Sequence, residues 1–216
     1  MPGKNTLKTY KEKSYYHIYN RGVAKGRIFF DSHYFQIFLY YLKIYLLPKD
    51  LQGGETLKVS PSRQLKNHSG KIKLLAYCLL PNHFHLLVYQ SDATAINFFM
   101  RSLATKYSMY FNRKYHRVGP LFQGVYKAIE IEDDNLLIYL SKYIHRNPLP
   151  TRRDLEGYKY SSYINYLGLI NQIWVDKSVI LDYFPSKNRV LSYKEFTEET
   201  DEKQMTLIKN LVLEEE

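Results

Sequence analysis

His83 and His85 occupy alternate positions in Leu80-Pro81-Asn82-His83-Phe84-His85-Leu86-Leu87. Successive side chains of an extended strand point to opposite faces, so the two imidazoles share one face and Phe84 takes the other. Two imidazoles on one face are either half of a metal site or polar residues on a solvated sheet, and other elements must decide which. Further along, Leu136, Leu140, Tyr143 and Asn147 recur at intervals of four, three and four, a single helical stripe. The stripe begins apolar and ends in a phenol and an amide one turn apart. If this helix lies over the histidine face, Asn147 completes a set of two nitrogens and one oxygen, with open positions for water or a phosphate oxygen. Such a set, lacking thiolate, suits Mg2+ or Mn2+ better than a closed structural zinc site, and the imidazoles tilt it toward Mn2+. Tyr143 then stands beside a polarised phosphate, placed for covalent attack. His145 projects off that stripe and is left out of the ligand set. His17 shares a strand face with Tyr15 and Tyr19 and reads first as a sheet-face histidine, with support of a ligand as the lesser reading.

The elements that would position these groups follow from periodicity. Ser14 to Tyr19 reads as an aromatic and branched strand closed by Asn20-Arg21-Gly22. Residues 33 to 47 carry a helical stripe stopped by Pro48, and residues 49 to 70 form an excursion without periodicity. Lys71 to Leu80 is an apolar strand, Pro81-Asn82 a tight turn, and His83 to Gln90 the antiparallel partner. A helix from about Thr94 to Tyr115 is broken by Gly119-Pro120. Tyr126 to Ile131 is a further strand, and Glu132-Asp133-Asp134-Asn135 starts the helix that carries Tyr143 and stops before Pro148. This order predicts an α+β fold of ferredoxin-like, RRM-like type. Two helices would cover one sheet face, leaving the other for the tyrosine-bearing helix. The expected organisation is a basic arm over 1–13, a main domain over 14–150 and a C-terminal extension over 151–216 with an acidic tail.

With 216 residues, 45% of them hydrophobic, the chain can bury a real core. One cysteine, Cys78, allows no internal disulfide and suits a reducing compartment. Neither a signal-peptide pattern nor an apolar run long enough to span a membrane is present, so a cytoplasmic protein without a membrane partner is expected. The net charge is +10, yet residues 194–216 hold eight acidic and three basic residues, which leaves +15 on the remainder. Arg101, Lys106, Arg113, Lys114, Arg117 and Lys127 follow one another over residues 101–127 with no acid among them. A field of one sign favours a polyanion, most commonly nucleic acid, and 22 tyrosines interleaved with cations suit base stacking.

His83-Phe84-His85 resembles the histidine–hydrophobic–histidine signature of the HUH endonucleases, and Tyr143-Ile144-His145-Arg146-Asn147-Pro148 resembles the tyrosine helix of their single-tyrosine transposase branch. Tyr19-Asn20-Arg21-Gly22, Ala76 to Asn82, Met100-Arg101-Ser102-Leu103, Tyr110-Phe111-Asn112-Arg113, Leu121-Phe122-Gln123-Gly124 and Tyr160-Ser161-Ser162-Tyr163 extend the likeness over roughly residues 15 to 168. The pattern is similar to the REP-associated tyrosine transposases, relatives of insertion-sequence enzymes that act on single-stranded DNA hairpins. Asn147 stands where insertion-sequence relatives carry glutamine, and asparagine before proline fits the REP-associated branch. The resemblance implies that His83, His85 and Asn147 hold Mg2+ or Mn2+. It implies further that Tyr143 nicks hairpin-bearing DNA through a 5′-phosphotyrosine, and that the free 3′-hydroxyl of the same or another strand reverses the step. The six basic residues above are then candidates for the DNA backbone, and the protein is expected as a monomer or homodimer. Two other readings stand beside this one. The same fold serves non-catalytic modules that stack single strands on the sheet, and a repurposed transposase could bind hairpins without cutting.

Overall fold

The computed structural model describes residues 10–53, 66–149 and 154–199. Four strands, β1 (Ser14–Arg21), β2 (Ile72–Leu80), β3 (His83–Gln90) and β4 (Lys127–Ile131), pair antiparallel in the order β2-β3-β1-β4. Two longer helices, α1 (Ser32–Leu46) and α2 (Ala95–Lys114), cross between strands, and α3 (Asp134–Arg146) follows β4. This is the expected ferredoxin-like α+β fold.

The two sheet faces are chemically different, and alternation along β3 separates them. Phe84 turns toward α1 and the segment that follows α2, its ring 5.2 Å from Phe38 and 5.9 Å from Phe122. His83 and His85 turn the other way, toward α3, whose Tyr143 meets the ring of His85. With helices over both faces, β2 is buried along nearly its whole length, which is why Ile72 to Leu80 reads as an almost unbroken apolar run.

Residues within 154–199 are part of this core. The outer edge of β2 would otherwise present unpaired backbone groups. Instead Ser162 N–H donates to the Tyr77 carbonyl at 3.0 Å, and Leu79 N–H donates to the Tyr160 carbonyl at 2.9 Å. Asp176 N–H reaches the Leu74 carbonyl at 2.8 Å, and the Tyr158 hydroxyl donates to the Leu79 carbonyl. Among the described residues of the extension lie two short helices, α4 (Tyr163–Tyr166) and α5 (Ser178–Leu181), and a longer α6 (Arg189–Glu198). The segments expected to be irregular are also tied down where they are described. Lys11 pairs with Glu130 at 3.2 Å and with Glu132, and Tyr10 bonds Tyr126 at 2.7 Å, although residues 1–9 of the expected arm lie outside the described residues. Gln52 and Asn67, from the two described ends of the 49–70 excursion, both donate to the carbonyls of Ile44 and Leu47, satisfying the end of α1. The acidic tail from residue 200 onward likewise lies outside the described residues.

Helix α3 is anchored at both ends. Asp133 caps its start by accepting from Leu136 N–H at 2.8 Å. Near its end the buried His145 uses both ring nitrogens, Nε2 with Ser162 Oγ at 2.7 Å and Nδ1 with the Tyr193 hydroxyl at 2.7 Å. Ser162 belongs to the segment paired with β2, and Tyr193 to α6. Arg146 donates to the carbonyls of Thr197 and Glu198 at 2.8 and 3.0 Å, placing a cation at the negative end of the α6 dipole. Lys142 lies over the Phe196 ring at 4.7 Å. The tyrosine helix is thus bolted to the β2 edge on one side and to α6 on the other.

Burial alone holds the His145 imidazole neutral, its pKa depressed to about 3. The unfolded chain binds a proton near pH 6.5 that the folded chain refuses, so this group's stabilisation is present above that pH and is lost as pH falls from about 6.5 toward 3. His145→Ala, which opens a buried cavity and removes one of the partners of each of two buried hydroxyls, should cost about 2–4 kcal/mol in urea denaturation at pH 7. Between pH 7 and 4.5 the midpoint should fall less steeply in the variant than in the parent chain, and equal slopes would contradict this role.

Candidate metal and nucleophile site

Strand register gathers the polar face. Arg21 stands opposite His83 and Tyr19 opposite His85 across β1 and β3, and Tyr19 is also opposite Lys127 across β1 and β4. The rings form a stack: His17 lies 5.0 Å from Tyr19 and 5.1 Å from His85, the latter pair tilted by only 8°. His83 meets His85 edge-on at 5.1 Å. Tyr143 comes down from α3 with its ring 6.0 Å from His85 at 90°, and 9% of its surface remains exposed. Phenol and imidazole pair are therefore adjacent.

Each histidine has one ring nitrogen engaged within the protein. His83 Nδ1 lies 2.7 Å from Asn82 Oδ1, and His85 Nδ1 lies 2.9 Å from His17 Nε2. The Asn82 amide nitrogen donates to the Lys25 carbonyl at 3.1 Å, which turns its oxygen toward His83 and makes His83 Nδ1 the protonated nitrogen. The His83 lone pair is then on Nε2. A carboxylate or amide behind the ligating imidazole is the usual way such a ring is oriented for a metal. Burial, reinforced by the Arg21 guanidinium, lowers the His83 pKa to about 4. Burial first, then the neighbouring His83 and His17, pushes His85 well below the ordinary range. Both rings are neutral at pH 7, the form that ligates a cation.

Gly22 explains how Asn82 gets there. A Cβ at this position would stand 2.1 Å from the Gly26 carbonyl oxygen and 2.9 Å from Ile28 Cγ2, so no larger residue fits. The close passage lets Gly22 N–H donate to the Asn82 carbonyl at 2.8 Å and holds the β2–β3 turn against the end of β1.

The other expected residues are placed unequally. Asn147 caps the end of α3, half-buried, and its amide nitrogen donates to the Tyr143 carbonyl at 3.0 Å. Among the described residues neither histidine is its hydrogen-bond partner, so it is joined to the pair through Tyr143. No group of three or more histidine, cysteine, aspartate or glutamate side chains gathers for a metal among the described residues. Among the described residues no hydrogen bond engages His83 Nε2, and two neutral imidazoles with an amide oxygen one turn beyond the phenol are donors whose chemistry fits a divalent cation. The six basic residues divide between faces. Arg101, Lys106, Arg113 and Lys114 sit on α2, across the sheet from the histidines, with Arg117 just beyond that helix. Lys127 shares the histidine face, its Nζ 5.6 Å from the Tyr19 ring centre. Arg21 and Asn82 were not among the residues singled out for the site. The alternation Tyr15, His17, Tyr19, Arg21 carries the signal for Arg21, since it puts that guanidinium on the same face as His17.

The antiparallel ferredoxin-like sheet bears two histidines beside a helix-borne tyrosine, and comparison with known proteins finds two likenesses. Residues 59–147, which include His83, His85, Tyr143 and Asn147, match the family model described as "Transposase IS200 like". Over that segment the chain is similar to IS200-like transposases. The fold is similar to the solved structure of a REP-associated tyrosine transposase bound to a REP hairpin. The TM-score is 0.53 and the identity 12%, over 77% of this chain and 86% of the other. No curated protein matches the sequence. Among the described residues no helix is long and apolar enough to cross a membrane.

Without added metal, a long-range 1H–15N spectrum should show His83 as the Nδ1–H tautomer, changing only near pH 4. An imidazolium pattern for His83 at pH 6 would contradict the Asn82 contact and the burial described above.

Proposed function

We propose that this chain is a divalent-metal-dependent nickase and strand transferase for single-stranded, hairpin-bearing DNA, with Tyr143 as nucleophile. The observation that carries the reading is the edge contact of Tyr143 on His85, which sets a phenol beside two neutral imidazoles on a basic protein. His83, His85 and the oxygen of Asn147 would hold the ion, whose chemistry is Lewis-acid polarisation of the phosphate. His17 and Asn82 act behind them by fixing how the two rings lie. Arg21 and Lys127 lie on the same face and suit the backbone phosphates, while the cations of α2 would serve DNA that wraps past the sheet end.

In the step itself, Tyr143 Oη gives up its proton and bonds to phosphorus as the bond to O3′ breaks. The 3′ oxygen leaves as a hydroxyl and the 5′ side stays on the tyrosine. The phosphotyrosine is a diester like the bond it replaces, so attack by a 3′-hydroxyl rejoins a strand without ATP. The REP hairpin of the structural relative fits this substrate class. A sheet-stacking module of RRM type would need an open face, and here α3 lies across β2 and β3 on the histidine side. With a target strand inside the cell, the cytoplasm is the expected place of action, and the rigid attachment of α3 suits a tyrosine acting within its own subunit.

Incubating the protein with a labelled hairpin oligonucleotide and Mn2+ should give a covalent adduct on a denaturing gel. Tyr143→Phe should abolish it, and His83→Ala or His85→Ala should reduce it by about a hundredfold or more. Hairpin binding without an adduct under Mn2+ and Mg2+ alike would overturn the nickase and leave a binding protein.

A further inference from the structure

A second surface combines aromatic rings and cations where α2 ends. Phe30 is 48% exposed and Tyr115 is 42% exposed, with ring centres 5.4 Å apart. Both are held rigidly from below. Phe30 stacks on the buried Phe111 at 5.6 Å, and Tyr115 lies parallel to the buried Tyr34 at 5.9 Å with their hydroxyls 2.5 Å apart. Cations frame the rings, Lys114 Nζ 5.2 Å from the Tyr34 centre and Arg117 Cζ 5.5 Å from that of Phe111. The nearby acid, Asp31, is occupied in capping α1 through His33 N–H at 2.8 Å. The surface is also tied to the site: Ile28 and Phe29 N–H both donate to the Pro81 carbonyl, at 2.8 and 2.9 Å, in the turn that leads into His83.

We infer that the Phe30–Tyr115 surface is a stacking platform for an unpaired base of single-stranded DNA, next to the hairpin stem. It rests on the DNA substrate proposed above. Exposed rings of this size lose contact with water only when something flat and apolar covers them, and a base offers a π-face of the right size. Immobile rings stack at little entropic cost, because the hydroxyl pair and the packing on Phe111 have already fixed them. Lys114 and Arg117 stand where the phosphates flanking such a base would pass, which favours a nucleic-acid strand over an apolar protein segment. The platform lies on the opposite sheet face from Tyr143, so the base it takes belongs to the strand that rounds the β2–β3 turn, not to the nucleotide being cut.

The test uses the full chain with hairpins that carry 2-aminopurine at successive positions of a single-stranded flank. The parent protein should quench one or two adjacent unpaired positions. Phe30→Leu with Tyr115→Leu, which keeps apolar bulk over Phe111 and Tyr34, should abolish the quenching and weaken binding of the flanked hairpin about tenfold or more. Binding of a blunt hairpin should be unchanged, and at saturating DNA the Tyr143 adduct should still form. Unaltered quenching and affinity, or an equal loss on the blunt hairpin, would overturn the platform while leaving the nickase standing. A change in self-association instead would assign the surface to a second copy and also overturn it. Platform-dependent binding without any adduct would keep this inference and remove the nickase, and failure of the parent protein to bind any hairpin would remove both.

Discussion

Everything at the site depends on how α3 is held across the sheet. A helix that carries its functional group near its C-terminal end has its least stable turn there, because the last carbonyls lack intrahelical donors. Here that turn is fixed from the side by a buried imidazole bonded to Ser162 and Tyr193, and by Arg146 on the last carbonyls of α6. Each bond compensates a polar group that would be costly to bury alone. The extension past residue 150 thus closes the open edge of β2 and sets the position of Tyr143 against His85.

Charge on the two sides of that helix works in opposite senses. Inside, desolvation keeps His83, His85 and His145 neutral, so the site presents lone pairs instead of competing cations. Outside, the chain is basic, and Arg21 and Lys127 bring that charge to the rim of the imidazole face. Under the proposed function, a site built this way would attract a phosphate chain from solution and still leave ligand positions for an ion. Arg21 lowers the His83 pKa, and under the proposed function it would also meet the phosphate.

Much of this was legible in the sequence because the signals are periodic. Alternation placed His83 and His85 together and Phe84 apart, and the intervals from Leu136 to Asn147 placed Tyr143 on the helix stripe that meets them. What escaped depends on contacts between segments far apart in the chain. His145 carries no local mark of its bonds to Ser162 and Tyr193, because those partners are brought in by pairing along β2 and by α6. Asn82 reads as a turn residue, and only the orientation imposed by Lys25 reveals it as the acceptor behind His83. The basic residues of 101–127 look like one patch along the chain, yet the sheet separates Lys127 from those of α2.

The central claim is that two imidazoles, an amide and a phenol form one metal-assisted site. It is tested most directly by crystals of the protein grown with Mn2+ and a hairpin oligonucleotide, using anomalous scattering at the manganese edge. The account predicts a peak shared by the Nε2 atoms of His83 and His85, with the Asn147 oxygen in its shell and the Tyr143 hydroxyl facing a phosphate on the same ion. A peak elsewhere, or Tyr143 turned away from a phosphate bound at the histidines, would contradict it.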